Sequence, residues 1–198
     1  MGLLMNFLAH MYLSGYESDI IAGNFAADFL RTSQTRLLPE GIMQGIYLHR
    51  KIDAFTDSHE KFRESVALLR PTQGKYAPVT TDILYDHYLS HNWDDFSQEP
   101  LEIFSNRIYK ALDEQASHFP DKLRNIITRM IEDDFLLSCK SETRLYTTFE
   151  RLGRRARFPN AFHRAIDDLN HHYPAFEMHF RHFLPAISNF ISKPQQYS

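Results

Sequence analysis

A chain of 198 residues, 43% hydrophobic and 24% charged with a formal net charge of −3, carries enough apolar material for one sizeable core. The slightly negative balance argues against indiscriminate binding to nucleic acid or anionic membranes. A single cysteine, Cys139, excludes an intramolecular disulfide or a thiolate cluster within one chain and suits a reducing compartment. The apolar start MGLLMNFLAHMYL has no basic n-region and no small-residue cleavage site, and no stretch approaches the ~20 apolar residues of a membrane span. The cytoplasm is the expected location.

In chain order, residues 6–13 are apolar around His10 and predict a short helix. Residues 17–31 predict a second helix, capped by Ser18 or Asp19, with Ile20, Ile21, Phe25, Phe29 and Leu30 on its apolar side. A polar turn over 32–39 closes at Pro39. The helix that follows carries GIYLHRKIDAFTDSH (45–59) and is expected to end near Thr56-Asp57-Ser58. Ser58 can cap a successor that runs through Phe62, Val66 and Leu69 to a stop at Pro71, followed by a loop over 73–78. Helical periodicity resumes over 80–93, 101–118, 120–138 and 141–157, and a last helical region over 159–192 is interrupted or bent at Pro174 and Pro185. No convincing strand, repeat or linker appears, so the expectation is an all-α, single-domain helical bundle over residues 1–198.

His49, Asp53 and Asp57 recur every four residues and therefore rise from one helix face. Imidazole and carboxylate at i, i+4 chelate a divalent cation; the plainer alternative is a solvated His–Asp pair. Asp82 and Asp86 also share a face, on an otherwise aliphatic and aromatic helix, and repel each other unless a cation lies near. His87 is adjacent to Asp86 and points about 100° away. His10 and Asp28 are weaker candidates, as a core histidine and a salt-bridge partner of Arg31. Residues 143–166 hold six arginines against the single acid Glu150, a local +5 able to receive an acidic partner. Arg151, Arg154 and Arg155 fall on one side of a helix. No Glu-x-x-His, GxSxG, Walker or GxGxxG pattern occurs.

The ordered set MNFLAHMYLS, GNFAADF, GIYLHRKIDAFTD, DILYDHYLSHNW and GRRARF…DDLNHHYPAFE resembles the acyl carrier protein phosphodiesterase family over essentially the whole chain from Met5. Met1–Leu4 precede the usual family start, and His91-Asn92 depart from the Arg-His expected before the Trp. The resemblance implies an HD-domain-like helical fold, related to the His–Asp metal-dependent phosphohydrolases, and removal of 4′-phosphopantetheine from acyl carrier protein. It implies a divalent metal, typically Mn2+ with Mg2+ or Fe2+ as alternatives, held by residues drawn from His10, Asp28, His49, Asp53, Asp86 and His87. Asp57 and Asp82 stand as near neighbours. Asp53, Asp86 and His87 are the expected catalytic groups, and Arg50 or Lys51 would steady the phosphate. Arg151, Arg154 and Arg155 would meet the acidic carrier protein. Two other classes stay open, an HD-like phosphohydrolase of a small phosphate ester or nucleotide and a non-catalytic helical binding module.

Overall fold

Residues 7–192 are described in the computed structural model; Met1–Leu4, expected to precede the family start, lie outside them. Among the described residues there is no strand. The helices are α1 (Phe7–Tyr12), α2 (Ser18–Ala26), α3 (Thr32–Thr35), α4 (Glu40–Ser58), α5 (Glu60–Gln73), α6 (Ala77–His91), α7 (Leu101–Gln115), α8 (Asp121–Glu132), α9 (Phe135–Ser138), α10 (Glu142–Arg155) and α11 (Ala165–Ser192). The all-α expectation holds.

Several boundaries differ from those expected, each for a local reason. The α4–α5 break is made by His59, which is extended (φ −74°, ψ 131°) and whose Nδ1 accepts the Lys61 N–H at 3.3 Å, taking the capping role expected of Ser58. Pro71 does not stop α5. Its missing N–H forfeits one bond in the last turn, while Thr72 Oγ1 and Gln73 Nε2 of that turn donate to Asp168 of α11 at 2.6 and 2.7 Å and fasten it down. The loop expected over 73–78 is a 3-10 turn over Gly74–Tyr76 leading straight into α6. The region 120–138 is split at Asp134, which is left-handed (φ 43°) and accepts the Tyr109 hydroxyl proton at 2.9 Å. α11 runs unbroken through Pro174 and Pro185, both of which are exposed, so the carbonyls they leave free face water.

One apolar core extends from Phe7 to Ile187. Its densest part is aromatic: Tyr85 of α6 meets Phe62 of α5 and Phe176, Phe180 and Phe183 of α11 at centroid separations of 5.7, 6.0, 4.9 and 5.7 Å. Polar groups within it are partnered in a chain. Ser65 Oγ lies 2.8 Å from the Tyr85 hydroxyl and 2.9 Å from His179 Nδ1, and His179 Nε2 lies 2.9 Å from Glu64. His179 is thereby accounted for as a core residue of α11.

The closest helix crossing is α2 on α4. A Cβ built on Gly23 would collide with the Ile42 carbonyl, and one on Gly45 with the Ile20 carbonyl. Only hydrogen at both positions lets the two backbones touch, and that approach sets Asn24, next to Gly23, and His49, one turn beyond Gly45, within reach of each other. Replacing Gly23 by Ala is expected to force the helices apart and cost more than about 3 kcal/mol, beyond ordinary overpacking because the obstacle is backbone. Urea unfolding of Gly23→Ala measures this; an unchanged midpoint would show that the crossing tolerates a methyl group.

Candidate metal centre

The centre is built outward from Asn24, which is fully buried in α2. Its Nδ2 donates to Ser14 Oγ at 2.8 Å and to the His10 carbonyl at 3.2 Å, while Ser14 Oγ donates to that same carbonyl at 2.8 Å. These bonds set which end of the carboxamide is which. Oδ1 is left to accept from two imidazoles, His10 Nδ1 at 2.9 Å and His49 Nδ1 at 3.0 Å. Both rings therefore carry a proton on Nδ1 and turn Nε2 the other way. His10 Nε2 lies 3.4 Å from Asp53; His49 Nε2 lies 3.2 Å from Asp53 and 3.4 Å from Asp28. The ring centroids are 4.4 Å apart. Helices α1 and α2 supply His10 and Asn24 to this knot, α4 supplies both His49 and Asp53, and Asp28 comes from the turn that follows α2.

Bare imidazole nitrogens facing carboxylates repel unless a positive charge lies between them. Either protons or a metal ion can supply it. The residues fit a metal: Nδ1–H is spent on an outer acceptor and Nε2 is presented inward, the arrangement that orients a ligating histidine. Ligand atoms of His10, His49 and Asp53 all lie within 4.8 Å of one another. The imidazoles are buried, at 4% and 6% exposure, whereas the Asp53 side chain is 53% exposed, so the centre opens to solvent on its carboxylate side.

Electrostatics agree with the geometry. Burial opposes charge on His49, yet hydrogen bonding to Asp28 and Asp53 and their negative charges outweigh it and raise its pKa from 6.5 to about 9. Burial likewise opposes ionisation of Asp53, but hydrogen bonds from His10 and His49 and their charges hold its carboxyl well below the usual range. Asp82 is pushed well above that range, first by burial and then by the carboxylates of Asp86, Asp53, Asp57 and Asp28. Negative charge from Asp28 and Asp53 is thus concentrated beside the two imidazoles, and Asp82, partly buried near it, is held toward its neutral form.

Asp86 and His87 are directed elsewhere. Asp86 accepts the Leu8 and Ala9 backbone N–H groups at 2.9 Å each and so caps the start of α1. Burial raises its pKa to about 7 despite those two bonds. His87 Nδ1 lies 2.8 Å from the Cys139 carbonyl, and burial lowers its pKa. Arg50 is exposed beside Tyr47, with its guanidinium 5.9 Å from the ring, and Lys51 sits 4.8 Å over Phe190 of α11. Arg151, Arg154 and Arg155 are exposed on α10, Arg154 lying 3.6 Å from Glu150.

Residues 5–187 match the acyl carrier protein phosphodiesterase family. This chain belongs to that family. Proteins named acyl carrier protein phosphodiesterase from Salmonella paratyphi A, Enterobacter sp. (strain 638) and Salmonella newport are each 30% identical to it over 184 residues, 92% of this chain and 95% of theirs. No solved structure matches.

Asn24 and Ser14 are the residues of this knot that pattern reading passed over. The signal for Asn24 was present: an amide in the interior of the apolar helix SDIIAGNFA, four residues before Asp28. An uncharged side chain does not announce itself as a ligand, and it acts here by aiming two others.

The raised His49 pKa stabilises the metal-free fold fully below pH 6.5, and that contribution is lost as pH rises through about 9. The lowered Asp53 pKa works in the opposite sense, stabilising above pH 3.8 and fading in stronger acid. Chelator-treated protein should therefore lose stability between pH 6.5 and 9, and His49→Gln should flatten that slope. Added Mn2+ should raise the thermal midpoint more at pH 8 than at pH 6, because it replaces the proton on His49. Equal shifts at both pH values would place the ion elsewhere.

Proposed function

We propose that this chain hydrolyses the phosphodiester that joins 4′-phosphopantetheine to a serine of acyl carrier protein, releasing apo-carrier in the cytoplasm. The observation that carries this is the Asn24 lock, two imidazoles aimed by one carboxamide at two carboxylates, in a chain that matches the family almost end to end. His10, His49, Asp28 and Asp53 are the residues that would hold a divalent ion. Two nitrogen and two carboxylate donors suit Mn2+ or Fe2+ better than Mg2+, which prefers oxygen and water. When bound, the ion supplies Lewis-acid stabilisation of the negative charge on the phosphodiester.

The protein's own contribution is placement. Asn24 holds both imidazoles in one tautomer, so neither has to reorganise as substrate arrives. The exposed edge of Asp53 leaves an approach from solvent, while the opposite side of the knot is sealed by α2 and α4. Asp86 is a positioning residue: by capping α1 it fixes the segment that bears His10. Arg50 follows His49 directly and is exposed, which suits it to meet the substrate phosphate. Lys51 is already engaged over Phe190 and is a weaker choice.

Carrier recognition is assigned to the exposed face of α10. Arg151 and Arg155 stand one turn apart with Arg154 beside Arg155, and among the described residues Arg154 alone of the three is ion-paired, with Glu150 on its own helix. An acidic partner meets there a positive field that the chain as a whole, at −3, does not present.

Mass spectrometry of holo-carrier incubated with the protein and Mn2+ should show loss of the arm, and free phosphate esters or nucleotides should not be turned over. Asp53→Ala and His49→Ala should each reduce turnover by about 100-fold or more, and Asn24→Ala by roughly 10- to 100-fold through weaker metal binding. Near-parental turnover by all three would exclude this centre. Separately, the double reversal Arg154→Glu, Arg155→Glu should slow association with holo-carrier by about tenfold at low salt and by less at high salt. Stopped-flow binding across a salt series reads this, and salt-independent association would remove α10 from the docking surface.

A further inference from the structure

Ser14 lies in the turn between α1 and α2, outside both helices, yet it helps decide which end of Asn24 faces the imidazoles. Its hydroxyl proton is spent on the His10 carbonyl, so toward Asn24 Nδ2 its oxygen can only accept. Without Ser14 in place the carboxamide would be free to turn over and offer Nδ2 to His10 and His49. Their Nδ1 atoms would then accept, and in neutral rings the protons would move to Nε2, where a metal ion needs lone pairs. The tautomer of both ligands thus hangs on a turn residue.

The turn continues through Gly15, which is left-handed (φ 73°) and has little rigidity of its own. Arg107 of α7 supplies what it lacks. Its Nη1 donates to the Gly15 carbonyl at 3.1 Å, while Nε and Nη2 donate to the two carboxylate oxygens of Glu99 at 3.1 and 2.8 Å. The guanidinium also lies 4.4 Å from the Tyr16 ring centroid. All three of its nitrogens are in use. Glu99 is itself fixed, since its carbonyl accepts Trp93 Nε1–H at 2.7 Å and its N–H donates to Ser97 Oγ at 3.1 Å. The same segment grips Tyr12, the last residue of α1, whose hydroxyl donates to the Phe96 carbonyl at 2.8 Å. Ser18, the first residue of α2, donates to Glu114 of α7 at 2.9 Å. Helix α7 therefore ties down both sides of the turn.

We infer that Arg107 is a positioning residue of the metal centre: by pinning Gly15 to Glu99 it keeps Ser14 in place, and through Ser14 it keeps Asn24 Oδ1 on the two imidazoles. The inference rests on the metal reading proposed above and extends it to α7, a helix that supplies none of the metal's expected ligands. The guanidinium fork is what the task requires. A lysine ammonium would carry the same charge, but as a point charge it could not hold a carboxylate at two points and a carbonyl at a third in fixed geometry.

In metal-free, 15N-labelled full chain, the Nδ1–H protons of His10 and His49 should be protected from exchange by their bonds to Asn24 Oδ1. Arg107→Gln should speed their exchange by about tenfold or more. By calorimetry it should also weaken Mn2+ binding roughly three- to tenfold, less than loss of a group that touches a ligand directly. Arg107→Lys should fall between the parent and Arg107→Gln in both readouts. Lys61→Gln, which breaks a partly exposed ion pair with Glu64 in α5, should change neither. Parental exchange and Mn2+ affinity in a folded Arg107→Gln would overturn the inference, and so would equal losses in Lys61→Gln. Should Arg107→Gln fail to fold, Arg107→Lys decides, and parental values there overturn it. A parent protein that binds no Mn2+ would instead sink the metal reading, while exchange in the metal-free protein would still report on Arg107.

Discussion

The structure depends on one carboxamide oxygen that accepts two imidazole N–H bonds. Asn24 Oδ1 ties α1 to α4 through His10 and His49 while its own helix lies between them. A hydroxyl in its place would not separate donor from acceptor so firmly, and a carboxylate would add a third negative group beside Asp28 and Asp53. The amide oxygen accepts both Nδ1–H bonds without adding charge, and the carboxylates of Asp28 and Asp53 lie on the Nε2 side. That asymmetry leaves the Nε2 side of the knot able to take a positive charge, from protons or from a metal ion.

Such a knot is possible only because α2 and α4 cross at contact distance. Gly23 and Gly45 remove the two Cβ atoms that would hold the backbones apart. The adjacent Asn24 and the downstream His49 then meet at 3.0 Å. Helix α6 lies behind the knot and serves several neighbours at once. Asp82 is held toward its neutral form by burial and the nearby carboxylates, Asp86 repays part of its burial by taking two N–H groups at the start of α1, and His87 turns toward α10. Asp82 and Asp86, four residues apart, share a face and feel each other, while His87, one step on, points about 100° away.

Much of the candidate site was legible at the level of single helices. The i, i+4 spacing of His49 and Asp53 is a property of one helix and survives any tertiary arrangement, so it could be read before folding was considered. His10 and Asp28 carried no such local signal and entered through family resemblance alone. They join the site because two other helices bring them there. Asp86 illustrates the reverse case. A carboxylate on an apolar helix demands compensation, and two backbone N–H groups at a helix start supply part of it without a cation. Nothing in the residues around Asp86 distinguishes those two remedies, since the start of α1 lies 78 positions away in the chain.

The sequence by itself determined the helical class, most helix positions, the His49–Asp53 chelating face and the positive run over α10, all of which depend on neighbours within a few residues. The tertiary structure decided where helices end when a distant partner intervenes, as Asp168 does for the last turn of α5 beyond Pro71. It also decided that His10 and Asp28 face His49 while Asp86 and His87 do not, and that a carboxamide aims the imidazoles. These are contacts between segments far apart in the chain. Their energies depend on how closely two backbones approach, and here that approach is set by the absence of two side chains, at Gly23 and Gly45, whose meaning appears only once the helices have met.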